Sequence, residues 1–235
     1  MRFGKFTYQL LFIFLFIYSY FVYSQNSVKN KYGLNVISNL NEYKKLVEED
    51  STKKLVNLGE LIPGIKLDIR YATKNNFLGK SVYDTAIAFL RQPAAYALLQ
   101  VQKELKTNNL GLKIFDAYRP YSITVEFYEE YKDTTYVASA WSGSRHNRGC
   151  AVDLTLINLS TGKELKMPTS FDDFTEKAYS NYNNLPAKVI KNRSILKTVM
   201  KKHGFKNYTY EWWHFDFNGW KNYELLDLNF QQLGI

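Results

Sequence analysis

The chain carries a single cysteine, Cys150, so no intrachain disulfide can staple its loops together. Its fold must therefore rest on a hydrophobic core and on backbone hydrogen bonding. A chain of 235 residues with 46% hydrophobic content has that core available, and the same composition excludes a disordered polymer. Tyr and Phe, at 19 and 16, are unusually frequent and read as core and groove material, not as a platform for nucleic-acid bases. Cys150 lies between Gly149 and Ala151 in a small-residue apolar run, the setting of a buried structural thiol and not of a nucleophile or a metal ligand.

The first stretch stands apart. Arg2 and Lys5 precede an apolar run from Leu10 to Val22, followed by Val22-Tyr23-Ser24, whose small residues suit a signal peptidase. The run is shorter than the roughly 20 residues that span a bilayer. Residues 1–24 are therefore expected to be a secretory signal peptide, with Gln25 the first residue of the exported chain; a retained N-terminal anchor is the alternative. No Cys lies near the cut, which argues against a lipoprotein. Its removal would lower the formal net charge of +9 by two. The remaining lysines are scattered, the pattern of an ordinary solvated surface and not of a nucleic-acid site.

Residues 25–54 are polar and lysine-rich, with a short helical candidate at Asn41–Glu49, and read as an N-terminal extension. A single domain is expected over residues 55–235. Strands are predicted at Ile65–Ile69, Leu112–Phe115, Cys150–Ile157 and Tyr210–Phe217, with Glu164–Met167 as a hairpin partner beyond the Ser160-Thr161-Gly162 turn. Helices are predicted at Pro93–Leu105, where Pro93 suits the first turn, at Tyr121–Tyr131 after Pro120, and at Lys188–His203, closed by Gly204. Helices interleaved with hairpin-like strands predict an α+β fold with a mainly antiparallel central sheet flanked by helices.

The chain has three histidines. His203 precedes a capping Gly, where an imidazole meets helix C-terminal carbonyls, a structural role. The other two fall in complementary segments, Ser144-Arg145-His146-Asn147-Arg148-Gly149-Cys150-Ala151-Val152-Asp153 and Glu211-Trp212-Trp213-His214. Two imidazoles and a carboxylate are a donor set for a catalytic zinc that keeps one position open. A bend at Gly149 would bring His146 and Asp153 to one ion, with His214 arriving from the last strand. In an extended segment Glu211 and His214 would point to opposite faces, so Glu211 needs a kink to face the metal. Zinc lowers the pKa of its water toward about 7. Glu211 is then placed to act as general base, and the developing oxyanion needs a further cation. Trp212 and Trp213 read as wall and core.

These residues resemble the signature of the zinc D,D-peptidases, a superfamily that includes D-alanyl-D-alanine carboxypeptidases, some phage endolysins and the VanX-type dipeptidases, and whose metal core the hedgehog signalling domain shares. Asp68-Ile69-Arg70-Tyr71-Ala72-Thr73, Asn76-Phe77-Leu78-Gly79-Lys80, Asp116-Ala117-Tyr118-Arg119-Pro120 and Asp153-Leu154-Thr155-Leu156 are similar to the dipeptidase branch, in its order, across about residues 56–220. The resemblance implies the hedgehog/D,D-peptidase-like zinc fold and one Zn2+ per chain. It implies His146, Asp153 and His214 as ligands, Glu211 as base and acid, and Arg119 as the oxyanion partner. Asp116 would orient Arg119 and belongs, with Tyr71, Ser144 and Asp172, to the substrate-side positions; Asp172 would meet the free ammonium. Read without the resemblance, Arg119 fits a surface arginine, Tyr71 fits packing on the sheet, and Asp172 and Asp173 fit the cap of a helix from Phe174. Two departures stand out: Gly143 and Arg145 flank Ser144 where small polar residues are usual, and Cys150 replaces Ser or Ala.

The implied reaction is hydrolysis of D-alanyl-D-alanine to two D-alanines, in peptidoglycan dipeptide turnover outside the cytoplasm, in the periplasm or secreted from a bacterium. The expected partner is this small molecule, with no nucleic acid and no stable membrane partner after signal cleavage. A D,D-carboxypeptidase or endopeptidase acting on stem peptides is the alternative, and would need an open groove. A non-catalytic zinc module of the hedgehog type would need neither Glu211 nor Arg119.

Overall fold

The computed structural model describes residues 29–234; the signal segment expected over 1–24 lies outside the described residues. In chain order the elements are β1 (Val36–Ile37), α1 (Leu40–Glu49), β2 (Leu55–Asn57), α2 (Leu58–Leu61), β3 (Lys66–Leu67), β4 (Phe89–Arg91), α3 (Gln92–Lys106), β5 (Leu110–Asp116), α4 (Tyr121–Glu130), β6 (Ala151–Asn158), α5 (Ala187–Lys202), β7 (Phe205–Asn207), β8 (His214–Phe217) and β9 (Leu225–Leu226). A five-stranded sheet runs β3-β5-β6-β8-β7, antiparallel except for the β3–β5 pair. Two short pairs, β2–β4 antiparallel and β1–β9 parallel, lie outside it. The fold is the expected α+β with a mainly antiparallel sheet.

β6 is the spine of the sheet because its side chains from Ala151 to Ile157 are buried on both faces. Helices form where the predicted signals sit. Pro93 occupies the first turn of α3, and Gly204, at φ +86°, follows α5 in a left-handed conformation that a side chain would strain. His203 closes α5 and bonds Glu104 of α3 at 2.8 Å, a structural role. The Cys150 thiol is fully buried, and burial pushes its pKa up to about 12.

Residues 36–54 are stitched to the rest of the domain. β1 pairs with β9, and the buried Tyr43 hydroxyl of α1 accepts the Leu55 N–H at 2.7 Å. Three strand expectations are corrected. Glu164–Met167 contributes one bridge, Ile157 to Glu164, and no strand; the Leu165 N–H still bonds the Leu156 carbonyl at 2.9 Å, and no ladder continues beyond it. The aromatic segment expected as a strand from Tyr210 is irregular up to Trp213, and only His214–Phe217 joins the sheet. Ile65–Ile69 likewise shortens to Lys66–Leu67. Among the described residues no helix is long and apolar enough to cross a membrane.

Candidate metal centre and cavity

Sheet register brings the first two donors together. Asp153 on β6 lies directly opposite His214, the first residue of β8, and cross-strand neighbours share a face. On the other side of β6 the register slips at Phe115, so that Asp116 stands opposite Asp153. Such a bulge re-aims side chains beside a site. His146 arrives from a single 3-10 turn, His146–Arg148, that ends at Gly149 with φ +65°. A Cβ at Gly149 would stand 2.7 Å from Leu55 Cδ2 and 3.3 Å from the Arg91 backbone nitrogen, so the bend requires glycine for both conformation and space.

His146, Asp153 and His214 are all buried, and one donor atom from each lies within 4.8 Å of the others. Their outer contacts fix which atoms face inward. His146 Nδ1 is 2.6 Å from the Ala117 carbonyl, an acceptor, so Nδ1 donates and Nε2 carries a lone pair. His214 Nε2 is 2.9 Å from Asp216 Oδ1, which leaves Nδ1 as the inner atom. The two inner nitrogens are 3.2 Å apart, and Asp153 Oδ1 is 2.9 Å from that of His214. The centre attracts positive charge. Burial disfavours a charged His214 ring, yet Asp216 and Asp153 raise its pKa well above the ordinary imidazole value. Burial likewise opposes an ionised Asp153, and His146 and His214 hold it well below the carboxylate range. A proton or a metal cation can meet that demand. Two imidazole nitrogens and one carboxylate oxygen, each imidazole anchored from behind by a carbonyl or carboxylate, fit zinc.

Glu211 sits in the irregular stretch before β8, and its Oε2 is 3.8 Å from His214 Nδ1. The kink that the sequence required is held by Asn207, whose side-chain amide donates to the carbonyls of Glu211 at 3.1 Å and His214 at 2.8 Å. Burial raises the Glu211 carboxyl to about 8; His214 opposes the shift, and Asp153 and Asp172 add to it. A cation at the adjacent centre works in the opposite direction.

Arg119 is buried, and its Nε and Nη2 both donate to Asp116 Oδ2, at 3.0 and 2.7 Å. Its guanidinium lies over the rings of Phe127 at 4.6 Å and Tyr71 at 5.1 Å. Burial disfavours the cation, but Asp116, Tyr83, Tyr71 and Asp153 together outweigh it and the pKa is raised. The Tyr71 hydroxyl donates to Asp172 Oδ1 at 3.2 Å, and the Phe77 N–H approaches its other oxygen at 3.4 Å. Burial, reinforced by Asp153, raises Asp172 to about 7. Asp172 has φ +59° and caps no α-helix; a 3-10 turn begins only at Glu176.

One cavity of about 250 Å³ is lined by His146, Asp153, His214, Glu211, Arg119, Tyr71, Ser144 and Asp172. Asp116 is the exception among the expected substrate-side positions. It is fully buried behind Arg119, hydrogen-bonded also by the Tyr83 hydroxyl at 2.8 Å, and does not line the cavity. Ser144 Oγ accepts the His146 N–H at 3.1 Å, which leaves its hydroxyl proton free to point elsewhere. Residues 134–139 and Phe174 also line the cavity; Tyr136 stacks on Phe174 at 4.9 Å, and the Tyr208 hydroxyl donates to the Thr135 carbonyl at 3.2 Å. Trp213 forms wall, as expected. The sequence reading missed Asp216, Tyr208 and these lining aromatics. Asp216 alone left a signal, since it lies two residues after His214 and so on the same face of a strand.

A family model described as D-ala-D-ala dipeptidase, within the M15 peptidases, matches residues 51–232. A D-alanyl-D-alanine dipeptidase of Escherichia coli (strain K12) is 33% identical over 175 residues, 74% of this chain and 90% of that protein. One from Enterococcus faecium is 33% identical over 181 residues, covering 67% and 88%. Among solved structures, a vancomycin-resistance D,D-pentapeptidase in complex with Zn(II) matches 59% of this chain and 77% of its own at 15% identity, with a TM-score of 0.35, too distant to argue from.

Proposed function

The chain belongs to the D-Ala-D-Ala dipeptidase family of M15 peptidases, and from that membership and the cavity we propose that it hydrolyses D-alanyl-D-alanine to two D-alanines with zinc. The observation that carries the reading is the convergence of His146 Nε2, His214 Nδ1 and the Asp153 carboxylate beside Glu211, within a cavity of about 250 Å³. That volume sits just below the range of about 300–1,000 Å³ that holds drug-sized ligands, and suits a dipeptide better than a peptidoglycan stem.

When bound, zinc supplies a Lewis acid that makes a water nucleophilic near neutral pH. His146, Asp153 and His214 would hold it. Glu211 takes the proton of the attacking water and delivers it to the leaving amine as the peptide bond breaks. Arg119, kept charged and oriented by Asp116, donates to the carbonyl oxygen as negative charge grows there. Asp172, steadied by Tyr71, receives the substrate ammonium. The products are one carboxylate and one amine, with the water consumed.

Export over residues 1–24 would put this activity outside the cytoplasm, on dipeptides released in peptidoglycan turnover. The charged, then apolar, then small-residue pattern of the N-terminus supports that placement. N-terminal sequencing of the protein recovered from its source tests it: a start at Gln25 supports export with cleavage, and a retained Met1 contradicts it. Activity is tested by D-alanine release from the dipeptide in the presence of zinc.

A further inference from the structure

We propose that Arg145 binds the free C-terminal carboxylate of the dipeptide and makes the enzyme demand one. The inference rests on the dipeptidase reading and extends it.

A dipeptide at neutral pH carries a cation at one end and an anion at the other. A cavity that takes the ammonium on a carboxylate leaves the substrate carboxylate needing a donor, since burying it unpaired is costly. Of the Lys and Arg residues among those described, only Arg119 and Arg145 line the cavity. Arg119 is already neutralised by Asp116, with two of its nitrogens on one oxygen.

Arg145 is differently placed. Its guanidinium lies 5.0 Å over the Trp220 ring, which orients the plane without cancelling the charge. Its Nε is buried and makes no hydrogen bond. The facing oxygen, Asp216 Oδ2, is 3.8 Å away, beyond hydrogen-bond reach, and the other oxygen of Asp216 is engaged by His214. Arg148 and Lys221 lie 5.6 Å from the same indole ring and add to the positive field. The backbone of Arg145 is fixed, because its carbonyl accepts the N–H groups of Arg148 at 3.1 Å and Cys150 at 3.0 Å. The side chain remains 40% exposed, so the guanidinium can move onto an incoming anion. Asp172 is held by Tyr71 and Phe77, which line the cavity, whereas the Arg145 guanidinium rests on Trp220 and near Asp216, which do not, so it swings from that resting place to meet an anion in the cavity. A guanidinium matches a carboxylate with two parallel N–H donors.

The test compares D-alanyl-D-alanine with its C-terminal amide in the zinc-loaded enzyme. Arg145→Gln is expected to raise KM for the acid by about 10–100-fold, with kcat within about threefold and the amide unaffected, so that the preference for the acid collapses. Arg145→Lys should retain part of that preference. Zinc content and melting temperature should match the wild type in both variants. Equal losses on acid and amide, or an undiminished preference for the acid in Arg145→Gln, would overturn the assignment. Calorimetric binding of both compounds to Glu211→Gln protein gives the same comparison without turnover. A wild type that cleaves neither compound therefore sinks the dipeptidase reading alone, and binding still decides Arg145.

Discussion

His214 and Asp216 lie two residues apart on one face of β8, and His214 Nε2 stands 2.9 Å from Asp216 Oδ1. The carboxylate thus fixes the ring that turns Nδ1 toward His146 and Asp153. Removing such an anchor commonly weakens metal binding by about 10–100-fold. Asp216→Ala is expected to lose zinc affinity on that scale with little change in fold, measured by chelator competition. Wild-type zinc affinity in this variant would show that Asp216 does not orient the ligand.

Arg119 and Asp116 are a buried pair, so removing one partner strands the other. Asp116→Ala should lower stability by about 3–5 kcal/mol in chemical denaturation, because an uncompensated guanidinium remains. Arg119→Ala strands the Asp116 carboxylate and should also lower stability, and in addition it should act on turnover. A kcat lower by about 10²–10³-fold, with a KM near wild type, marks a group that acts as charge develops on the carbonyl oxygen. A KM defect alone would place Arg119 in ground-state binding.

Asp172 gives a pH dependence with a definite sign. Its carboxyl is raised to about 7 by burial, with Asp153 adding to the shift. Below that pH it binds a proton and loses its attraction for the substrate ammonium. KM should therefore rise as pH falls through about 7, and in Asp172→Asn it should be high and flat. The stability effect has the opposite direction. A folded pKa above the unfolded one makes the native state hold the extra proton, so stability falls as pH rises from about 4 to 7. Asp172→Asn removes that loss, and its melting temperature relative to wild type should climb over the same window. A difference independent of pH would contradict the shift.

Gly149 should tolerate no side chain. Its positive φ and the approach of Leu55 and Arg91 predict a loss of about 1–3 kcal/mol or more for Gly149→Ala, with weakened zinc binding because His146 is carried by the adjoining turn. Thermal unfolding and metal titration would show both losses; an unchanged protein would mean that the bend does not set the ligand.

The sequence alone made the cluster of His146, Asp153 and His214 legible, because chemistry restricts which side chains can hold zinc and the chain offers few histidines. It also exposed the need for a kink at Glu211, since period-2 geometry forbids Glu211 and His214 on one face of a strand. Asn207, which pins that kink, left no such mark: its amide works through backbone carbonyls that no pattern announces. The register that sets Asp116, Asp153 and His214 side by side depends on a bulge at Phe115, inside an apolar run that reads as uniform strand. The resemblance places Asp116 as the partner that orients Arg119, and the structure keeps it there, behind the guanidinium and off the cavity. The lining aromatics Tyr136 and Phe174 come from distant loops without periodicity, and only tertiary packing brings them together.

The most direct test of the account is release of D-alanine from D-alanyl-D-alanine by the purified chain from Gln25 with one zinc per protein, beside Glu211→Gln and an intact muropeptide. The account predicts turnover of the dipeptide alone, reduced at least about 10³-fold in Glu211→Gln with zinc still bound. Cleavage of the muropeptide in preference to the dipeptide, or undiminished activity in Glu211→Gln, would contradict it.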